Sequence, residues 1–81
     1  STKQQILWAC RRGMLELDLI LMPFATHEYE GLTSEDQQLF QAFLKESDQD
    51  LFGWLMQSAV PENPDYQSMV EKILSAILQQ K

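Results

Sequence analysis

Residues 15–29, LELDLILMPFATHEY, decide the fold class of this 81-residue chain, because two secondary structures fit them. Leucines alternate with acidic residues over positions 15–19, which is typical of a half-buried strand. The segment also has a helical apolar face, which consists of Leu17, Ile20, Leu21 and Phe24. No other segment offers a strand to pair with, and a lone strand is unstable. We therefore predict a helix over residues 15–29, which Pro23 kinks or breaks.

On the N-terminal side of this segment, we predict a helix over residues 3–12 that is capped by Ser1 or Thr2. Its inward residues are predicted to be Ile6, Leu7 and Cys10. Gly13 is expected to end this helix, because glycine readily adopts the left-handed conformation that closes many helices.

On the C-terminal side, the apolar spacing predicts three further helices. Thr33 or Ser34 is the expected cap of the third helix and Asp48 that of a short fourth helix. A loop with two prolines, residues 60–64, precedes a fifth helix that begins near Asp65. The predicted inward residues of the third helix are Leu39, Phe40, Phe43 and Leu44. The fourth helix bears the apolar residues Leu51, Phe52, Trp54, Leu55 and Met56, and the fifth has an apolar stripe that consists of Tyr66, Met69, Val70, Ile73, Leu74, Ile77 and Leu78. The whole chain is thus predicted to be a single all-α domain, a compact five-helix bundle.

The charge of the chain indicates which kinds of partner it could bind. The net charge is −6, and all twelve carboxylates lie in residues 13–71, where Lys45 is the only cation. Such a surface argues against nucleic-acid binding and favours a protein partner with a basic face. No apolar run approaches the roughly 20 residues of a membrane span, and no signal-peptide pattern is present. With Cys10 as the single cysteine, we expect a cytoplasmic protein without membrane insertion that is a monomer when free.

Residues that could carry catalysis or bind a metal are few. Cys10 and His27 could in principle act as nucleophile and base, but Cys10 falls on an apolar helix face, where an inert thiol is usual. His27, Glu28 and Glu30 match no metal-ligand spacing. The chain also has no glycine-rich phosphate loop. We therefore expect no catalytic residue, no metal site and no stably bound cofactor.

The motif that carries functional information lies in residues 8–18, WACRRGMLELD. Arg12, Gly13 and Glu16 form the pattern R-G-x-x-E, which resembles the hallmark of the small FAD assembly factors of succinate dehydrogenase. Five blocks resemble the bacterial, SdhE-like form of that family in order and spacing: WACRRGM at 8–14, ELD at 16–18, MPF at 22–24, HEY at 27–29 and DLFGWLM at 50–56. The resemblance covers about residues 6–57.

This resemblance implies a five-helix bundle that acts as a chaperone and not as an enzyme. Members of the family promote covalent attachment of FAD to a histidine in the flavoprotein subunit of succinate dehydrogenase, and in bacteria also of fumarate reductase. The client supplies the chemistry, and the factor holds the client in a reactive geometry. The partner-binding residues expected on this basis are Trp8, Arg11, Arg12, Gly13, Glu16, Asp18 and His27. Arg12 is expected to pair bidentately with a client carboxylate.

Three alternatives remain open at the level of sequence. Arg12 and Glu16 could be an ordinary surface pair four residues apart on a helix. The chain could instead be an antitoxin-like or regulatory module that binds a basic partner through its acidic surface. It could also carry FAD directly, with the arginines against the pyrophosphate, although the glycines that build such pockets are absent.

Overall fold

A computed structural model of the chain describes residues 3–79, which form five α-helices and a short 3-10 turn, and no strand. The elements are α1 Lys3–Cys10, α2 Leu15–Glu28, the 3-10 turn Tyr29–Gly31, α3 Ser34–Phe43, α4 Asp48–Leu55 and α5 Pro64–Gln79. The predicted all-α bundle is confirmed, and the strand interpretation of residues 15–29 is wrong. The capping predicted for Ser1 or Thr2 lies outside the described residues.

Helix α2 is central to the bundle, since it packs against α1, α4 and α5. Its buried residues are Leu17, Leu21, Phe24 and Ala25, which recur at the spacing of one helix face. The helix continues through Pro23 to Glu28, so of the two predicted effects of Pro23, a kink or a break, the break does not occur. Helix α1 runs antiparallel to α2, because Lys3 Nζ at its start donates to Thr26 O at the far end of α2, 3.1 Å away.

The helix ends show which capping predictions hold. Thr33 caps α3, with its hydroxyl accepting from the Asp36 backbone N–H at 3.1 Å, as predicted. The prediction for α4 is wrong by one residue. The Ser47 hydroxyl accepts from the Asp50 N–H at 3.1 Å, and Asp48 occupies the first helical turn, where its charge suits the helix dipole.

The first helix ends earlier than the sequence suggested. Helix α1 stops at Cys10, where the Arg11 N–H donates to Trp8 O at 3.1 Å in a closing turn. Gly13 lies three residues further on, with φ of +80°. The left-handed conformation expected of Gly13 is therefore present, but it shapes the loop between α1 and α2 and does not end α1.

All five helices contribute to one apolar core. Its buried residues are Ile6, Cys10, Leu17, Leu21, Phe24, Ala25, Tyr29, Phe40, Phe43, Leu44, Leu51, Leu55, Met69, Val70, Ile73 and Ala76. Leu78, which was predicted to lie on the apolar stripe of the fifth helix, is 66% exposed, and Met56, which was assigned to the fourth helix, is 43% exposed. Met56 lies just beyond the last turn of α4. Leu78 is about 180° around α5 from the buried Met69, because a helix advances about 100° per residue.

Candidate partner-binding surface

The loop of residues 11–14 presents the R-G-x-x-E motif between α1 and α2. The Arg12 backbone N–H donates to Asp18 Oδ1 at 2.8 Å, which ties the loop to the first turns of α2. A Cβ added to Gly13 would meet no atom within 4 Å, so internal packing does not require glycine at this position. Its φ of +80° does require it, because side-chain-bearing residues rarely adopt that conformation. The loop thus has a fixed shape and an open outer side.

The Arg12 guanidinium is bound within the chain, in an arrangement that we call the Arg12 clasp. Its Nε donates to Asp48 Oδ1 at 2.7 Å, and its Nη2 donates to the backbone oxygen of Glu46 at 2.8 Å. Its Nη1 donates to the backbone oxygens of Ala9 and Leu44. The side chain is only 16% exposed. The clasp therefore fastens the motif loop to the turn between α3 and α4.

The clasp places Asp48 beside the motif loop, a position that sequence reasoning missed. Asp48 is 36 residues from Arg12 and was assigned to helix capping. No spacing rule connects two residues so far apart, and only the fold brings them together. The clasp also satisfies the carbonyl of Leu44, the C-cap residue of α3, since a helix end leaves its last carbonyls without intrahelical partners.

Glu16 has a different environment from Arg12. It is exposed, and within residues 3–79 it forms neither an ion pair nor a side-chain hydrogen bond. The surface pair between Arg12 and Glu16 is not formed, since Arg12 binds Asp48 instead. The Glu16 carboxylate is therefore available to a donor on another molecule.

Apolar side chains are exposed beside the motif. Trp8 is 72% exposed, Leu15 is 68% exposed and Leu19 is 66% exposed. Leu15 and Leu19 lie one turn apart on the side of α2 away from its buried face, and Met22 continues this stripe into a groove that it lines with Trp8 and Arg11. We call this surface the motif face; it comprises Trp8, Arg11, Gly13, Leu15, Glu16, Leu19 and Met22. Contiguous exposed apolar side chains of this kind mark interaction sites.

Leu15 and Leu19 were not among the residues predicted to bind a partner. The available signal was the alternation of leucine with acidic residues over positions 15–19, which suggested a strand. Once α2 is helical, that alternation places leucine on both sides of the helix, and only one side can be buried. A helix with leucines on more sides than the core can bury is expected to have a second apolar surface, and this was the signal for Leu15 and Leu19.

The other residues singled out from the sequence lie in three settings. Asp18 is half-buried and holds the loop through the Arg12 backbone. His27 is exposed in the last turn of α2, about 16 Å along the helix axis from Glu16 at 1.5 Å per residue. Arg11 is exposed and lines the groove beside Trp8. The fold thus groups Trp8 and Arg11 with the motif loop and places His27 at the opposite end of α2.

The chemistry of Cys10 does not favour a nucleophile. Its side chain is fully buried. Burial raises the pKa of the Cys10 thiol to about 12, against the lowering effect of the Arg12 guanidinium, and Asp18 raises it further. In the part of the chain that the structure describes, no group of three potential metal ligands comes together, and no helix is long and apolar enough to cross a membrane.

A small helical bundle with a hydrogen-bonded loop, an unpaired carboxylate and exposed apolar side chains beside them has the features of a protein-binding module. Comparison with known proteins agrees with that class. The family described as Sdh5, flavinator of succinate dehydrogenase, matches residues 4–77. The chain therefore belongs to the Sdh5 family, and the resemblance inferred from the motif is confirmed. The match includes α5, beyond the residues on which the resemblance was based.

Individual relatives are similar over nearly the whole chain. The FAD assembly factor SdhE of Pseudomonas aeruginosa is 47% identical over 74 residues, which are 91% of this chain and 88% of the relative. The protein of the same name from Aliivibrio fischeri is 47% identical over 72 residues, 89% of this chain and 84% of the relative. That of Vibrio cholerae is 47% identical over 73 residues, 90% of this chain and 85% of the relative.

Proposed function

We propose that this protein is a non-catalytic assembly factor that promotes covalent attachment of FAD to the flavoprotein subunit of succinate dehydrogenase. The observation that carries the proposal is the motif face, where Gly13 and Glu16 face solvent among exposed apolar side chains. Membership of the Sdh5 family and the names of its relatives supply the client and the cofactor. The flavoprotein subunit of fumarate reductase is a second proposed client.

The residues of the motif have different proposed roles. Glu16 binds a donor on the client, and the bare backbone at Gly13 allows the client to approach closely. Arg12 holds the loop in place and does not bind the client itself, because its donors are already bound to Asp48 and to backbone carbonyls. Asp18 has the same kind of role, since it holds the Arg12 backbone. The clasp thus keeps the loop in the shape that the client recognises.

The apolar residues of the motif face supply binding energy. Burying a leucine side chain contributes about 1.5–3 kcal/mol, and Trp8 offers the kind of large aromatic surface that dominates many interfaces. This energy would hold the client's FAD domain with the flavin and the histidine in a reactive geometry, while the bond-forming chemistry stays with the client.

The proposal treats FAD as the client's cofactor and not as a resident of this protein. Of the two arginines that the sequence offered to a pyrophosphate, Arg12 has its donors directed to acceptors within the chain. The factor is proposed to work in the cytoplasm as a monomer until it meets its client. The net charge of −6 would disfavour association between copies.

The test is flavinylation of the purified client in solution. The apo-flavoprotein is incubated with FAD and the factor, separated on a denaturing gel, and scored for covalently bound flavin by fluorescence. Wild type is expected to raise the yield of covalent flavin. Glu16→Ala is expected to lower it at least tenfold, and Gly13→Arg to abolish it, because the added side chain blocks the approach of the client.

The matched control is Glu71→Ala, which removes an exposed carboxylate from α5 and leaves the motif face unchanged. It is expected to promote flavinylation as wild type does. If Glu16→Ala and Gly13→Arg matched wild type as well, the motif face would not be the client's site. If wild type itself had no effect on covalent flavin, the proposed function would be wrong, and an interaction through the acidic surface would take its place.

A further inference from the structure

A pocket of about 280 Å³ lies beside the Arg12 clasp and outside the motif face. Side chains from the turn before α4, from α4, from the loop of residues 57–63 and from α5 form its walls. The residues that give it chemical character are Glu46, Trp54, Glu62 and Tyr66, and Val60 borders it with 74% of its surface exposed. The function described above does not use this pocket.

Two aromatic rings form one side of the pocket. The ring centroids of Trp54 and Tyr66 are 5.7 Å apart with an angle of 43° between the planes. Phe43 packs behind both rings, with centroid distances of 5.9 Å to Trp54 and 5.5 Å to Tyr66. Trp54 and Tyr66 are half-buried, so each is fixed by the core and still presents surface to the pocket. Aromatic faces held in this way attract cations.

The charged residues of the pocket are both acidic. Glu46 and Glu62 line it, and neither forms an ion pair within residues 3–79. The Tyr66 hydroxyl donates to Glu46 Oε2 at 3.2 Å. Burial raises the pKa of Tyr66, with the Glu46 carboxylate adding to the effect, so the hydroxyl stays a donor at neutral pH. The bond holds the Glu46 carboxylate toward the aromatic wall, and no lysine or arginine within residues 3–79 forms an ion pair with it.

The pocket is continuous with the clasp through a single residue. The backbone oxygen of Glu46 accepts from Arg12 Nη2 at 2.8 Å, while the carboxylate of Glu46 binds Tyr66 in the pocket. The pocket is therefore adjacent to the segment to which the motif loop is fastened. Carboxylates and aromatic faces around a small cavity suit one chemical group in particular, the ammonium or guanidinium of a basic side chain.

We propose that this pocket receives an arginine or lysine side chain of the flavoprotein client, as a second contact beside the motif face. The proposal rests on the proposed function for the identity of the partner. Arginine suits the pocket best, since its planar guanidinium can stack on Trp54 and at the same time donate to a carboxylate. The negative charge of the chain would also speed the encounter with a basic client surface.

The test is the affinity of the purified apo-flavoprotein for the factor, measured by calorimetric titration at two salt concentrations. Glu62→Gln keeps the shape of an exposed side chain and removes its charge, and we expect about fivefold weaker binding with a smaller dependence on salt. Glu62→Lys should weaken binding further, because its ammonium repels the incoming cation. Trp54→Leu should weaken binding about fivefold or more through loss of the aromatic face.

The matched control is Glu35→Gln, which removes the same charge from an exposed position in the first turn of α3. It should bind as wild type does, and thermal melting should show that all variants are folded. If Glu62→Gln and Glu62→Lys bound with the affinity and salt dependence of wild type, the pocket proposal would be overturned and the proposed function would stand. If wild type did not bind the flavoprotein at all, both proposals would be wrong.

Discussion

Helices α2 and α5 are the two longest in the molecule, and they use their apolar residues differently. In α5 the buried residues Met69, Val70, Ile73 and Ala76 form one stripe, and polar residues cover most of the other side. In α2 one stripe is buried, while Leu15 and Leu19 are exposed on the other side. Helix α5 thus buries most of its apolar residues in the core and exposes Leu78 near its end, whereas α2 exposes two leucines one turn apart beside the motif loop.

The same contrast holds for polar contacts. Arg12, beside α2, is 16% exposed and makes one ion pair and three hydrogen bonds to backbone oxygens. Lys72, on α5, pairs with Asp36 at 3.2 Å and has 46% of its side chain exposed. An exposed lysine pair is weak, but a half-buried arginine with several acceptors is costly to remove. The stronger polar contacts of Arg12 and the exposed leucines of α2 therefore both lie at the motif loop and the motif face.

The largest expected effect comes from removing the clasp. Arg12→Ala should lower the free energy of unfolding by about 2–4 kcal/mol, because it leaves Asp48 and several carbonyls without their donor. Lys72→Ala on α5 should cost less than about 1 kcal/mol. Urea unfolding followed by circular dichroism measures both. Equal losses in the two variants would remove the distinction between the clasp and an ordinary surface pair.

The second effect concerns the exposed leucines, for which the two helices offer a matched pair. Leu19 on α2 and Leu78 on α5 are each 66% exposed. Leu19→Gln should weaken binding of the flavoprotein about tenfold, since burial of a leucine at an interface contributes about 1.5–3 kcal/mol. Leu78→Gln should leave binding unchanged.

Both leucine variants replace an exposed residue with a good helix former, so both should melt close to wild type. Calorimetric titration against the flavoprotein gives the affinities. If Leu78→Gln lowered the affinity tenfold and Leu19→Gln did not lower it, the client would bind at α5 and not at α2.

Much of the fold followed from the sequence, because it depends on local patterns. Helical spacing placed all five helices, and the capping chemistry of Thr33 was identified correctly. The polar residues Ser47 and Asp48 are adjacent and both suit a helix start, which explains the error of one residue at α4. The prediction for Leu78 was wrong, because the apolar stripe predicted for the last turn of α5 is wider than the face that the bundle buries.

Less of the candidate site than of the fold could be predicted from the sequence. The R-G-x-x-E pattern drew attention to Arg12, Gly13 and Glu16 as candidate partner-binding residues, but it could not show which of them face solvent. The bond from Arg12 to Asp48 joins residues 36 positions apart and follows only from the packing of α1 and α2 against the turn before α4. A pattern of residue types contains no such distance.

The third prediction compares two glycines with open surroundings. A Cβ at Gly13 or at Gly31 would meet no atom within 4 Å, but only Gly13 has a positive φ, of +80°. Gly13→Ala should therefore destabilise the protein by about 1 kcal/mol, and Gly31→Ala should be neutral or slightly stabilising. Thermal melting of both variants measures the difference. An unchanged melting temperature for Gly13→Ala would mean that the loop relaxes freely and is not held by the clasp.

The smallest effect near neutral pH concerns Cys10, which is fully buried two residues before Arg12. The folded protein raises the pKa of this thiol from 9.0 to about 12, mainly by burial. A raised pKa in the folded state stabilises the protein below pH 9, and this contribution is lost progressively as pH rises from 9 toward 12. Between pH 6 and 8 neither the stability contribution of the thiol nor its protonation should change.

Labelling with a thiol reagent should accordingly be slow in wild type at pH 8 and faster in Arg12→Ala, because loss of the clasp releases the motif loop, which directly follows Cys10. Rapid labelling of wild type would show instead that α1 opens readily, and the motif loop would then be a mobile segment in contrast to α5.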